Sequence, residues 1–310
     1  DTYGRVWVTE GTKYRKNVAN PPDDRIKVLE DTDGDGVADK RDILITGFDA
    51  AGHASYRFYI DGTTVPKAGG AGQSNALWRF HATFDVASER FDAVVVSDQS
   101  EGERLDMIPA ERGELRIADR CYMQPDRIAS LLDEGADVLI RAGWKSARWL
   151  DAKGAPLDLI ATLRAADAIG RIDRPIRVGR KGGAPIALRL IAIRKPPEAA
   201  AEARRKARRE AQRGGHALSQ GTLVAADWMI LVTTLPPASH ATDAVLDLYR
   251  LRWRIELAFK RLKSLVGLAG PPGKDEATAR AYLLAHLVLI LLLEPLVDRL
   301  EDSPHWANAA

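Results

Sequence analysis

Tyr249, Arg252, Glu256 and Lys263 stand in the stretch YRLRWRIELAFKRLK, at the spacing Y-x2-R-x3-E-x6-K. The stretch has no Pro or Gly and is rich in Arg, Lys, Leu and Glu, so it is expected to be helical throughout. At about 100° per residue the four side chains fall within roughly 60° of one another, a polar stripe about 20 Å long. Beside it Leu251, Ile255, Ala258, Phe259, Leu262, Leu265 and Val266 make an apolar face that can seat the helix on a core. One carboxylate is thereby held rigidly between two cations and a phenol. As residue types, Arg can grip a phosphate bidentately, Lys acts as a point charge, Tyr donates one hydrogen bond, and a carboxylate can hold a hard cation. The plain alternative is a surface helix whose Arg252 and Glu256 form an i,i+4 pair contributing about 0.2–0.5 kcal/mol.

The elements upstream supply further carboxylates. RFYIDGTTV reads as a strand ending at Asp61, followed by Gly62 and two threonines. LWRFHATFDV and RFDAVVVSD are two more strands around a turn at Ala87 to Arg90, so three strands form a meander. LRIADRCY is a short strand ending at Asp119, and DRIASLLDEGADVLIR predicts a helix over Asp126 to Glu134, stopped by Gly135 and followed by the strand VLIR. That order points to a mixed α/β sheet. Taken singly, Asp61-Gly62 is also a plain turn, Asp119 can pair with Arg120, and Asp85, Asp92 and Asp98 compete.

The blocks IDGTTV, WRFH and IADRCY, and the Tyr-Arg-Glu-Lys stripe, resemble in kind and order the type-4 group of DDE transposases of bacterial insertion sequences, over about residues 55 to 300. The resemblance implies a ribonuclease H-like mixed sheet with flanking helices and a β-rich insertion before the last catalytic helix. It implies that Asp61, Asp119 and Glu256 are catalytic and bind two Mg²⁺ (or Mn²⁺) ions, and that Tyr249, Arg252 and Lys263 hold DNA phosphates at the transposon end. Two ions about 4 Å apart activate the attacking oxygen and stabilise the leaving oxygen, so no covalent nucleophile is needed. The implied partners are double-stranded DNA, as transposon ends and target, and a second copy of the chain in a synaptic homodimer, in a bacterial cytoplasm at the nucleoid. Trp144, Trp149, Trp228 and Trp253 could stack on an extruded base, against a commoner packing role. Family members carry a helical end-recognition domain ahead of the first aspartate, which has no counterpart in the residues before Asp61. A DNA-binding remnant without chemistry is one alternative, and a calcium-binding propeller fragment fused to a mobile-element remnant is the other.

Charge is unevenly spread over the 310 residues. Between Arg164 and Arg213 stand 15 Lys/Arg against 5 Asp/Glu, an excess of +10 that leaves the rest at −8. This suits a polyanion on one surface and a cation site on another. IALRLIAIR (186–194) predicts a strand, and PEAAAEARRKARREAQR a helix ending at Gly214 and Gly215, either solvated or in contact with phosphates. The single Cys121 excludes an internal disulfide and a multi-cysteine metal site. The apolar run Ala281 to Leu293 is too short to cross a bilayer and predicts a buried helix, and no signal peptide or membrane association is expected.

Residues 1–50 read differently. RVWVTEG and RIKVLED are strands, followed by DTDGDGVADKRD, where Asp31, Asp33, Asp35, Asp39 and Asp42 occupy positions 1, 3, 5, 9 and 12 of a calcium-loop pattern. The loop could hold Ca²⁺ or be a solvated acidic turn. The segment resembles about one blade of a β-propeller of sugar-dehydrogenase-like proteins, and the start at Asp1 suggests a fragment or an unusual gene boundary. The expected organisation is therefore a propeller-like fragment at 1–50, a catalytic core at 51–142 and 235–302, and a basic insertion at 143–234, with a join near Ile45 to Ala54.

Overall fold

The computed structural model describes residues 102–252 and, outside them, residues 6–10, 25–30, 40–46, 55–60, 64–66, 77–85, 90–98, 278, 281–286, 288, 289 and 292. Near the N-terminus β1 (Val6–Glu10), β2 (Arg25–Glu30) and β3 (Lys40–Thr46) pair as a three-stranded antiparallel sheet. Asp42 lies in β3, opposite Val28 of β2. Asp31, Asp33, Asp35 and Asp39 lie outside the described residues.

The main sheet begins with β4 (Ser55–Ile60), β5 (Thr64–Pro66), β6 (Leu77–Asp85) and β7 (Arg90–Asp98). β4, β5 and β7 all pair with β6 antiparallel. The chain then adds β8 (Glu114–Ala118), parallel to β4, and β9 (Asp137–Arg141), parallel to β8. The crossover between these two parallel strands is α1 (Pro125–Asp133). Three antiparallel strands flanked by two parallel ones, with a helical crossover, make the ribonuclease H-like sheet expected from the sequence.

The basic region continues that sheet. β10 (Arg148–Asp151), α2 (Leu159–Ala165), β11 (Arg171–Gly179), β12 (Ile186–Arg194), α3 (Pro197–Arg213), α4 (Gln220–Ala226) and β13 (Trp228–Thr233) follow in order. β13 pairs with β9, and the strand order is β10-β11-β12-β13-β9-β8-β4-β6. Pro175, which lacks a ladder donor, is tolerated in β11 because β10 pairs only with Ile176–Gly179 and leaves its stretch a single neighbour.

Side-chain alternation divides the core into two layers. Leu115 and Ile117 of β8, Leu139 of β9 and Leu231 of β13 pack with Val245, Leu246 and Leu248 of α5 (Thr242–Arg250). On the other face Ala118, Val138, Ile140 and Val232 pack with Ile128, Ala129 and Leu131 of α1. Every residue of β8 is buried, and fully burying each large aliphatic contributes about 1.5–3 kcal/mol. The same strand buries an ion pair, in which Arg116 Nε donates to Glu114 Oε1 at 2.6 Å and the Arg116 guanidinium donates to the carbonyls of Leu105, Ile108 and Pro109. These bonds tie the loop before β8 to the sheet. After α1, Gly135 takes φ 89°. Its N–H donates to the Leu132 carbonyl and that of Ala136 to the Leu131 carbonyl, both at 3.0 Å, closing the helix so that β9 can start.

Two expectations change. The helix carrying Tyr249 spans Thr242–Arg250 and ends there, with Leu251 and Arg252 in a turn in which the Arg252 N–H donates to the Tyr249 carbonyl. Of the stretch expected to be helical throughout, only Tyr249 and Arg250 are helical among the described residues, and residues 253–263 lie outside them. The described part of the 281–293 run is helical with Leu283 buried, but Leu284, Val288, Leu289 and Leu292 are exposed, so it is not the buried helix expected. The apolar run is continuous around the helix, and among the described residues only one side of it meets the core.

Candidate active site

Asp119 follows the last residue of β8 with its backbone still extended (φ −83°, ψ −179°). Alternation from Leu115 and Ile117 therefore sends its side chain to the face covered by α5. It caps a 3-10 turn over Arg120–Tyr122, with Oδ1 accepting the Arg120 backbone N–H at 2.5 Å. The pairing with the Arg120 guanidinium that the sequence allowed does not form. Asp119 makes no ion pair among the described residues, and its second carboxylate oxygen is uncommitted there, as a metal ligand requires. β4 is the hydrogen-bonded parallel neighbour of β8, in the register Phe58↔Ile117, and its last residue, Ile60, directly precedes Asp61 in the chain. Asp61, Glu256 and Lys263 themselves lie outside the described residues.

Tyr249 approaches from α5, buried among the apolar side chains of that layer. Burial pushes its phenol up to about 12, opposed by the Arg252 charge, reinforced by the Asp119 carboxylate and opposed by Arg141. The phenol therefore keeps its proton at any working pH and remains a hydrogen-bond donor. The Arg252 guanidinium carbon lies 5.8 Å from the Tyr249 ring centroid, in cation–π range. Arg141 ends β9 on the same face as Leu139 and makes no hydrogen bond or ion pair through its side chain among the described residues. One carboxylate, one protonated phenol and two guanidiniums thus meet at one end of the sheet. Arg141 is the member that sequence reasoning missed. It closes the strand VLIR, and only the parallel pairing of β8 and β9 reveals it as a neighbour of Asp119.

α5 is held in place by the basic insertion. Arg189 of β12 donates to Asp173 of β11 through Nε at 2.8 Å and Nη2 at 2.6 Å, and through Nη1 to the His240 carbonyl at 2.7 Å. Thr242, the first residue of α5, donates to the same Asp173 carboxylate. The Arg189 hydrogen bonds hold the Asp173 carboxyl below its ordinary range, against burial and with help from Thr242.

Other candidates take structural roles. Trp149 and Trp228 are buried, and Trp149 Nε1 donates to the Trp144 carbonyl at 2.8 Å, so these two serve the core and are not poised to stack on a base. Trp144 is half-buried with Lys145 Nζ 4.8 Å from its ring, and Trp253 lies outside the described residues. Asp92 accepts from Thr83 at 3.3 Å on β7.

Comparison with known proteins identifies the family. Residues 53–292 match the family described as Transposase DDE domain. Residues 1–66 match a family described as a domain of unknown function, DUF7133, and the propeller resemblance finds no support. The transposase for insertion sequence element IS421 of Escherichia coli is 36% identical over 250 residues, covering 79% of this chain and 67% of that protein. The protein named for insertion sequence element IS186A in Escherichia coli strain K12, InsL, shows the same identity and coverage. With that family match over most of the chain and relatives 36% identical over two thirds of their length, the chain belongs to the DDE transposases.

Proposed function

We propose that the chain cleaves double-stranded DNA at transposon ends and transfers the freed strand to a target, using carboxylates at Asp61, Asp119 and Glu256. The observation that carries this reading is the half-buried Asp119 carboxylate, with one oxygen uncommitted, set among Tyr249, Arg252 and Arg141. Divalent ions held by such carboxylates, Mg²⁺ or Mn²⁺, supply activation of the attacking oxygen and neutralisation of the leaving one. Arg252 and Arg141 grip non-bridging phosphate oxygens, the Tyr249 hydroxyl donates a further hydrogen bond, and Lys263 adds a point charge. Together they fix the phosphodiester in line, and most of the protein's contribution is position and charge. The core spans 51–142 and 235–302, the insertion spans 143–234, and two copies of the chain pair two transposon ends. The site of action is the bacterial cytoplasm, at the nucleoid. Among the described residues no helix is long and apolar enough to cross a membrane.

The test is nicking of a plasmid carrying the transposon ends by purified protein. Nicks confined to the ends, present with Mg²⁺ or Mn²⁺ and absent with EDTA, are expected. Metal-independent nicking, or none with either ion, contradicts the proposal.

A further inference from the structure

Beside the cleavage site, Lys195 after β12 and Arg120 after β8 are cations that the strand-cleavage reading does not use. Lys195 follows the last residue of β12, its backbone N–H donating to the Asp227 carbonyl at 2.8 Å and its Nζ to the Ala226 carbonyl at 2.7 Å. The ammonium is therefore half-buried and fixed at the C-terminal end of α4. Burial and the nearby charges of Arg141 and Arg120 pull its pKa down to about 8, with Asp227 as the counteracting carboxylate. Asp227 is already engaged by Arg204, at 2.5 Å. The side chains of Arg120 and Arg141 make no hydrogen bond or ion pair among the described residues. The Lys195 ammonium thus has two guanidiniums near it, and the carboxylate beside it is held by a fourth cation. Like charges brought together around a half-buried ammonium repel, and an anion among them relieves that repulsion.

We propose that Lys195 and Arg120, together with Arg141, form a phosphate subsite for the DNA backbone beside the cleavage site, on the side of the sheet where the insertion begins. The proposal rests on the DNA-cleavage reading. A backbone phosphate fits because the register of β8 with β9 sets Arg141 beside Asp119, and β12 runs in the same direction as β9, so Lys195 follows its strand at the same end of the sheet. α3 starts two residues after Lys195 and extends the cationic surface, since its Lys206, Arg208 and Arg213 form no ion pair among the described residues. A Lys195 that only caps α4 is the competing role.

The experiment measures affinity of the whole chain for a short random-sequence duplex without divalent metal, as a function of salt, by fluorescence anisotropy. Phosphate contacts ignore sequence, so a random duplex reads them. Lys195→Gln keeps a donor for the Ala226 carbonyl but loses the charge. It is expected to bind about tenfold more weakly, with a salt slope shallower by about 1, and Lys195→Arg to restore both. Arg120→Gln, at an exposed position, is expected to flatten the slope similarly and covers the case of a misfolded Lys195 variant. If the wild type binds and nicks DNA while both Gln variants keep its affinity and slope, the subsite is overturned and the cleavage reading stands. If the wild type neither binds nor nicks DNA, both fall.

Discussion

Tyr249 shows how one residue's surroundings set its chemistry. Its phenol, pushed up to about 12 chiefly by burial, stays protonated, so Tyr249→Phe removes the proposed phosphate donor without altering local charge. Cleavage is expected to fall about tenfold, the loss of one hydrogen bond to a charged group, with little change in thermal stability. The raised pKa also has a stability signature. A phenol that ionises at its ordinary 10.0 when unfolded and at about 12 when folded contributes stability that is full below pH 10 and is lost as pH rises through 12. Alkaline unfolding of wild type and Tyr249→Phe should therefore diverge between these values, and parallel curves contradict the burial account. The Tyr-Arg-Glu-Lys spacing was legible because it puts four polar residues on one face of an expected helix, of which the described residues include Tyr249 in α5 and Arg252 in the turn after it. Arg141 was not legible, because its significance depends on which strand lies beside β9.

At the scale of elements, the insertion positions the helix that brings Tyr249 to Asp119. The Asp173 carboxylate joins β11, β12 and the start of α5, and Asp173→Ala leaves Arg189 mostly buried without its partner. A loss of about 2–4 kcal/mol is expected by denaturant titration, together with reduced cleavage, because α5 is no longer anchored. The lowered Asp173 pKa gives the pH sense: its contribution is full above the ordinary carboxylate value of 3.8 and is lost as pH falls through the lower folded value. Asp173→Asn should flatten acid unfolding in that range. β12 and α3 matched their sequence ranges residue for residue, since one is a long apolar strand and the other an Ala- and Arg-rich run bounded by Pro and Gly. β10, β11 and α2 were not anticipated. β11 is charged at alternate positions and contains Pro175, so neither its periodicity nor its composition distinguishes it from a loop.

Over the whole molecule, the +10 excess between Arg164 and Arg213 belongs to strands hydrogen-bonded into the catalytic sheet and to a helix that starts at its active end. Composition announced that asymmetry, but only the pairing of β13 with β9 shows that the basic region and the strand leading to Asp119 share one sheet. Replacing Lys206, Arg208 and Arg213 together with Gln should reduce the salt slope of DNA binding by roughly 3 while leaving the fold intact, if each meets a phosphate. The central claim is that Asp119 holds a metal at a DNA-cleaving site, and Asp119→Cys tests it most directly by plasmid nicking in Mg²⁺ and in Mn²⁺. A thiolate serves Mn²⁺ better than Mg²⁺. Activity abolished in Mg²⁺ and partly restored in Mn²⁺ is expected, whereas full activity of the variant in Mg²⁺, or an equal loss in both ions, contradicts metal binding at Asp119.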